Sequence, residues 1–259
     1  MHPNIPARRA DFLALHAEGH FLLPTAGNVR RARYLEWLGF AGLASSNAEL
    51  ARALGRGDGG VTCEEVLSFL RRLVDATEIA VSADFGAGFA ERPNELMANV
   101  RMAIDTGIAG LSIRDVGHGV LLPHRQAAEH IRAAREAIDQ SNVEVLLVGR
   151  TEGLLRGRTS LDDAIGRLMA YVDAGADVVC APGLDDPHAI RAVIEAVAPK
   201  PVEVQLMKPG LGAIELGALG VRRISIGDGL SGKSWSDFEQ AAQRFIDFGD
   251  LMPELAPIR

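Results

Sequence analysis

Residues 81–90 read VSADFGAGFA, an apolar run of strand length that ends on a carboxylate and dissolves into small residues. Successive side chains on a strand point to opposite faces. Ser82, Asp84 and Gly86 therefore share one face, and Val81, Ala83 and Phe85 share the other. Such a segment suits a strand covered on both sides, as in parallel sheets, with Asp84 presented at its carboxyl end.

The same grammar recurs along the chain. Strands are expected at 20–25, 40–45, 79–84, 109–115, 143–149, 176–181, 201–206 and 223–227. Between them lie helical patterns such as PNELMANVRMAIDTG, HRQAAEHIRAAREAIDQ and SLDDAIGRLMAYVDAG. Several have Asn, Ser or Asp near the start and Gly at the end, as helix caps require. LGF, TGIAG, AGAD and LGVRR each place a helix-ending glycine directly before a strand. About eight βα units in about 250 residues is the size of a closed (β/α)8 barrel. An open, doubly wound sheet normally carries a glycine-rich phosphate turn after its first strand. PTAGNVRRA contains no G-x-G-x-x-G, so the chain is expected to form one barrel domain over residues 1–259.

Barrel active sites lie where strands end, so parity along each strand selects candidates. Ser112 and Arg114 share a face on the fourth strand, Val148, Arg150 and Glu152 on the fifth, and Glu203 and Gln205 on the seventh. Ser46 follows the second strand and Ser225 lies in the eighth. Charged groups converging on a barrel mouth are costly unless they pair or bind something, which marks this rim as the candidate site.

Composition narrows the partners. The 259 residues are 47% hydrophobic and 24% charged with a net charge of -7, an ordinary globular balance without the basic footprint of a nucleic-acid binder. Two cysteines, Cys63 and Cys180, make neither a disulfide framework nor a metal cluster. No apolar run reaches membrane-spanning length and the first residues lack a signal-peptide core, so a cytoplasmic location is expected.

At these residues the chain resembles the isocitrate lyase and phosphoenolpyruvate mutase superfamily. The resemblance is carried jointly by Ser45-Ser46, Asp58 in the following loop, SADFGAG at 82–88 and GRTEGLL at 149–155. It implies a helix-swapped (β/α)8 barrel, usually a homodimer or homotetramer, that binds an α-keto acid or its enolate on Mg2+. Members cleave or form C–C or P–C bonds. Ser45, Ser46 and Asn47 would hold the substrate carboxylate, Arg150 would be the family's motif arginine, and Asp58 the loop aspartate. The aromatics Trp235, Phe238, Phe245 and Phe248 would serve a swapped or packed last helix.

The metal positions depart from the family pattern. Asp84 keeps the first carboxylate, but Gly86 replaces the second and Phe89-Ala90 replace Tyr-Gly. Arg114-Asp115 stands where the family reads Glu-Asp, and Glu203 where many relatives have Asn. DVGHGVLLPHRQ is too short for the long mobile loop of the lyases, leaving His118 as an echo of its histidine. These departures lead to a weak or absent Mg2+ site at Asp84, with Arg114 facing Asp84 and supplying fixed positive charge in place of the metal.

The reading is a lyase that cleaves a C–C bond of a small α-keto acid or di- or tricarboxylate through an enolate-like intermediate. Asp58, Arg150, Arg114 and His118 are its catalytic candidates. Ser45, Ser46, Asn47, Arg150 and Glu203 are its substrate contacts. A C–P or ester-type hydrolase or mutase on the same scaffold, and a non-catalytic carboxylate binder, are the alternatives. Plainer roles stand beside these: Ser45 and Ser46 as helix caps, Cys180 as a core residue, and Lys208 as a solvated loop residue.

Overall fold

The computed structural model describes residues 4–117 and 119–227, together with 230, 237, 240, 242 and 243. The chain opens on helix α1 (Ile5–Ala14), followed by β1 (Phe21–Leu23), β2 (Thr25–Ala26), α2 (Val29–Trp37), β3 (Gly42–Ser45), α3 (Asn47–Ala53) and α4 (Cys63–Ala76). Then come β4 (Ala80–Asp84), α5 (Pro93–Ile104), β5 (Gly110–Arg114), the short β6 (Val116–Gly117) and β7 (Val120–Leu121), and α6 (His124–Gln140). The series continues through β8 (Leu146–Arg150), α7 (Leu161–Asp173), β9 (Val178–Cys180), α8 (Pro187–Val197), β10 (Val202–Leu206), α9 (Ala213–Leu219) and β11 (Arg223–Ile226).

The main sheet runs β1-β11-β10-β9-β8-β5-β4-β3-β2, and every pair in it is parallel. Its two ends are consecutive in the chain. β1 pairs with β11 and β2 with β3, and Pro24, which has no N–H to give a ladder, separates them while its carbonyl accepts from Ala44 N at 2.8 Å. β1 and β2 are thus one stave broken at a proline, and the sheet is a barrel of eight staves, each overlapping an expected strand. The chain therefore forms the expected (β/α)8 barrel. Two elements escaped the sequence reading: α1, and the antiparallel β6–β7 hairpin.

The helices are held by ordinary local chemistry. α4 begins with a capping box in which Thr62 and Glu65 satisfy each other's backbone N–H. It buries Val66, Leu70 and Leu73 at helical spacing against the staves, each burial contributing about 1.5–3 kcal/mol.

α1 closes the amino-terminal end of the barrel. Phe12 is fully buried and packs with Leu23, Ala80, Ala109 and Leu146, a small apolar core inside the staves. Gly110 makes room for it, since a Cβ there would lie 2.8 Å from the Phe12 ring. His16 packs edge-on against Phe12 and Phe21, with ring centroids 5.0 and 4.8 Å away. Its Nδ1–H donates to the Phe12 carbonyl at 2.8 Å.

Burial, and then the nearby Arg223 guanidinium, push the His16 pKa down to about 4. An unfolded histidine titrates near 6.5, so between these values the unfolded chain binds the extra proton and stability falls as pH drops. A gap of about 2.5 pH units at 1.36 kcal/mol each is worth about 3 kcal/mol. Urea denaturation at pH 7.5 and pH 4.5 should show the wild type losing about that much more than a His16→Leu variant, and equal losses would place the acid sensitivity elsewhere.

Candidate active site

The carboxyl ends of the staves converge on a cavity of about 220 Å³. Its first wall is the junction of β3 and α3. Ser46 caps α3, its Oγ accepting from Glu49 N at 3.1 Å, and Ser45 Oγ accepts from Asp84 N at 2.9 Å. The capping role is therefore real, yet both hydroxyls line the cavity and keep their own protons free to donate. Asn47 is buried; its N–H donates to Asp84 Oδ2 at 3.3 Å, and Gly86 N donates to Asp84 Oδ1 at 3.2 Å.

The opposite wall is cationic. Parallel register sets Arg114 beside Arg150 on adjacent strands. Glu152 bridges them, with Oε1 at 2.8 Å from Arg150 Nη2 and 3.7 Å from Arg114 Nη1. Its other oxygen accepts from Arg156 Nε and Nη2 at 3.1 and 3.0 Å. Burial alone would raise the Glu152 pKa, but Arg150, Arg114 and Arg156 overcome it and hold the carboxyl below its usual value. Burial likewise opposes the Arg150 charge, and Glu152 more than offsets it, so this guanidinium titrates above its ordinary range. Asp58, about half exposed, lies 3.9 Å from Arg114 Nη1 at the rim. The Nε atoms of Arg114 and Arg150 are buried and have no partner among the described residues.

The floor holds a second pair. Glu203 Oε2 sits 2.9 Å from Arg223 Nε and Oε1 accepts from Ser225 Oγ. Arg223 Nη2 donates to Ser82 Oγ at 3.3 Å.

Several expectations change. Arg114 does not pair with Asp84: its partners are Asp58 and Glu152, because Asp84 is tied back onto the Asn47 and Gly86 amides while Arg114, two residues further along its strand than the register partner of Asp84, reaches Glu152 and the loop. Glu203 lines the cavity, but Arg223 and Ser225 occupy its carboxylate, which makes it a floor counter-ion. Lys208 is ion-paired with Asp185 at 2.5 Å. Cys180 is buried, and burial pushes its thiol well up. No group of three His, Cys, Asp or Glu side chains among the described residues is placed to hold a metal ion. His118, Trp235, Phe238, Phe245 and Phe248 lie outside the described residues.

The sequence reading missed Arg156 and Arg223. Arg156 lies four residues after Glu152, the spacing of an ion pair within one helical turn. Arg223 shares its strand face with Ser225, so the parity that selected Ser225 would have found it too.

Replacing Arg150 with Met should cost about 1–3 kcal/mol, the expense of a buried charged acceptor losing its best donor, reduced because Arg114 and Arg156 remain. Adding Glu152→Gln should recover part of that loss. Urea denaturation of both single variants and the double variant measures the coupling, and additive losses would show that Arg150 and Glu152 do not depend on each other.

Comparison with known proteins agrees with the barrel fold. A solved structure from Burkholderia cenocepacia J2315, provisionally assigned as a lyase/mutase, superposes with a TM-score of 0.93 at 34% identity, covering 98% of this chain and 93% of that one. Oxaloacetate decarboxylase 2 of Pseudomonas putida is 30% identical over 196 residues, 71% of this chain and 63% of that enzyme. The 2-methylisocitrate lyase of Escherichia coli K12 is 28% identical over 181 residues, 66% of this chain and 60% of that enzyme. The model of the phosphoenolpyruvate phosphomutase family matches residues 12–246, and the chain belongs to that family.

Proposed function

We propose that this chain is a carbon–carbon lyase acting on a small α-keto acid or a di- or tricarboxylate. The observation that carries the reading is the pair of adjacent guanidiniums, Arg114 and Arg150, each with a buried unpartnered Nε–H, facing two serine hydroxyls across one small cavity. Such fixed donors match an anion that must be held while more negative charge develops. Ser45 and Ser46 donate to the substrate carboxylate, while Asn47, expected as a third contact, lines the larger cavity beside the mouth. When the bond to the carbon next to a carbonyl or carboxylate breaks, its electron pair stays on that fragment as an enolate, and Arg150 with Arg114 takes up the charge. Asp58, at the rim and open to solvent, removes the proton that starts the cleavage or returns one to the enolate carbon.

Mg2+, implied by the family resemblance, does not fit this donor set, and no step is routed through it. Magnesium is usually held through one or two carboxylates plus substrate oxygens. Here Asp84 offers one carboxylate, both of whose oxygens already accept backbone N–H. A Cβ on Gly86 would lie 3.9 Å from Arg114 Nε. At an effective dielectric near 20, two unit charges about 4 Å apart interact by roughly 4 kcal/mol, and a dication feels about twice that from a guanidinium. Gly86 has φ 57°, a region Asp tolerates better than most residues. Gly86→Asp should therefore pair with Arg114 and bind no magnesium, whereas Gly86→Asp with Arg114→Glu should create a site. Calorimetric titration with MgCl2 reads both, and tight binding by the wild type would overturn the replacement of metal by arginine.

The non-catalytic reading draws its support from Glu152, which already occupies the arginines as a substrate carboxylate would. Turnover separates the two. A panel of 2-oxo acids and 2-hydroxy di- and tricarboxylates should reveal C–C cleavage that falls at least 100-fold in Arg150→Met. Oxalate, an enolate mimic, should inhibit it. Oxalate binding with no turnover across the panel would favour the binder.

A further inference from the structure

A second and much larger cavity, of about 1260 Å³, opens beside the mouth. Asp58, Arg114 and Arg156 line both cavities, so the rim of the first is the neck of the second. The β6–β7 hairpin borders it through Val116 and Gly117. This space would be spare volume if its polar groups were satisfied, and besides the Arg114 Nε two acceptors are not.

His130, 2% exposed, lines the cavity from α6. Its Nε2 lies 3.3 Å from the Glu91 carbonyl. A carbonyl only accepts, so in the neutral ring Nε2 carries the proton and Nδ1 is a bare acceptor. That Nδ1 is buried and has no partner among the described residues. Asn47, 1% exposed, lines the same cavity at the neck with its Oδ1 also unpartnered. Buried acceptors left unmet are costly, and neither of these has a donor among the described residues.

The apolar part of the wall is held in a strained form. Phe89 has φ 54°, an outlier for a bulky residue. Asn99 Nδ2 fixes that conformation by donating to the Gly88 and Phe89 carbonyls at 2.9 and 3.2 Å, and Phe85 packs edge-on against the Phe89 ring, which borders the cavity. Strain that the surroundings over-determine collects at ligand sites.

We infer that the large cavity is a tail subsite, and that the substrate is a 2-oxo acid, or its 2-hydroxy counterpart, whose carbon chain extends past Arg114 and carries hydroxyl groups that donate to Asn47 and His130. The inference rests on the proposed function, which places the carboxylate head in the small cavity. A hydroxylated chain satisfies both orphan acceptors and lays its carbons against Phe89. An unsubstituted alkyl chain would fill the space and leave the acceptors bare.

Calorimetry on the full chain tests this with three ligands: a three-carbon 2-oxo acid, a six-carbon 2-oxo acid with hydroxyls along its tail, and the six-carbon acid with a plain alkyl tail. The hydroxylated acid should bind at least tenfold more tightly than either of the others. His130→Gln, whose amide N–H can still reach the Glu91 carbonyl, should remove most of that gain, and so should Ala90→Leu, which fills the cavity from the opposite loop. The three-carbon acid serves as the internal reference in each variant. Equal affinity for all three ligands, or a gain that survives both substitutions, overturns the tail subsite while leaving the head reading standing. Absence of binding by any of them overturns the head reading and the tail subsite with it.

Discussion

The site depends on one carboxylate placed between two like charges. Neighbouring strands lie about 4.8 Å apart, and the β5–β8 register puts Arg114 and Arg150 side by side at that spacing. Two half-buried guanidiniums so placed repel each other and each resists desolvation. Glu152 makes the arrangement tenable by touching both, and Arg156 completes its coordination from the loop before α7. What remains is a cationic wall with spare donors and little spare positive charge. An anionic ligand there competes with a resident carboxylate, which favours ligands that bring more than one acceptor oxygen.

Glu152 is in turn positioned from outside the barrel. Asp115 follows Arg114 with the opposite parity, so its side chain turns away from the mouth. It accepts from Glu152 N at 2.9 Å, Thr151 Oγ1 at 2.7 Å, Tyr171 OH at 2.8 Å and Arg167 Nη1 at 3.3 Å. Tyr171 and Arg167 belong to α7, so the outer helix, the loop after β8 and the inner arginine wall form one connected network. Arg114 and Asp115 thus divide their work by strand parity: one faces the ligand and its neighbour holds the backbone that aims Glu152.

The barrel was legible because its punctuation is local. A glycine ending a helix just before an apolar run is a signal within a few residues, and it marked four of the eight staves, the others being read from their apolar runs alone. Parity was equally local, and it placed Arg114, Arg150, Glu152 and Glu203 on the inner face. The partners were not legible, because they depend on side-chain reach across strands and on loops. Asp84 was expected to face Arg114, yet its oxygens are taken by two backbone amides that no alternation pattern reveals. Glu203 looked like a ligand contact until Arg223, on the next stave, claimed it. α1 was missed for a related reason: Phe12, which it inserts into the barrel, shows its importance only through the space that Gly110 and the barrel floor leave for it.

Along the barrel axis the interior grades from apolar to charged. Phe12 and its neighbours seal the floor, Arg223 lies over the Phe12 ring with 5.9 Å to the centroid, and Glu203, its register partner on β10, neutralises it. Arg150 and Glu152 come next, with Asp58 at the solvent edge. Buried charge is tolerable here because each ion has a counter-ion within about 4 Å. A sealed, pre-paired floor also means that ligand binding need not reorganise anything below Arg150. Adaptation to a substrate is thereby confined to the rim, where Asp58, Arg156 and the short hairpin adjoin the larger cavity.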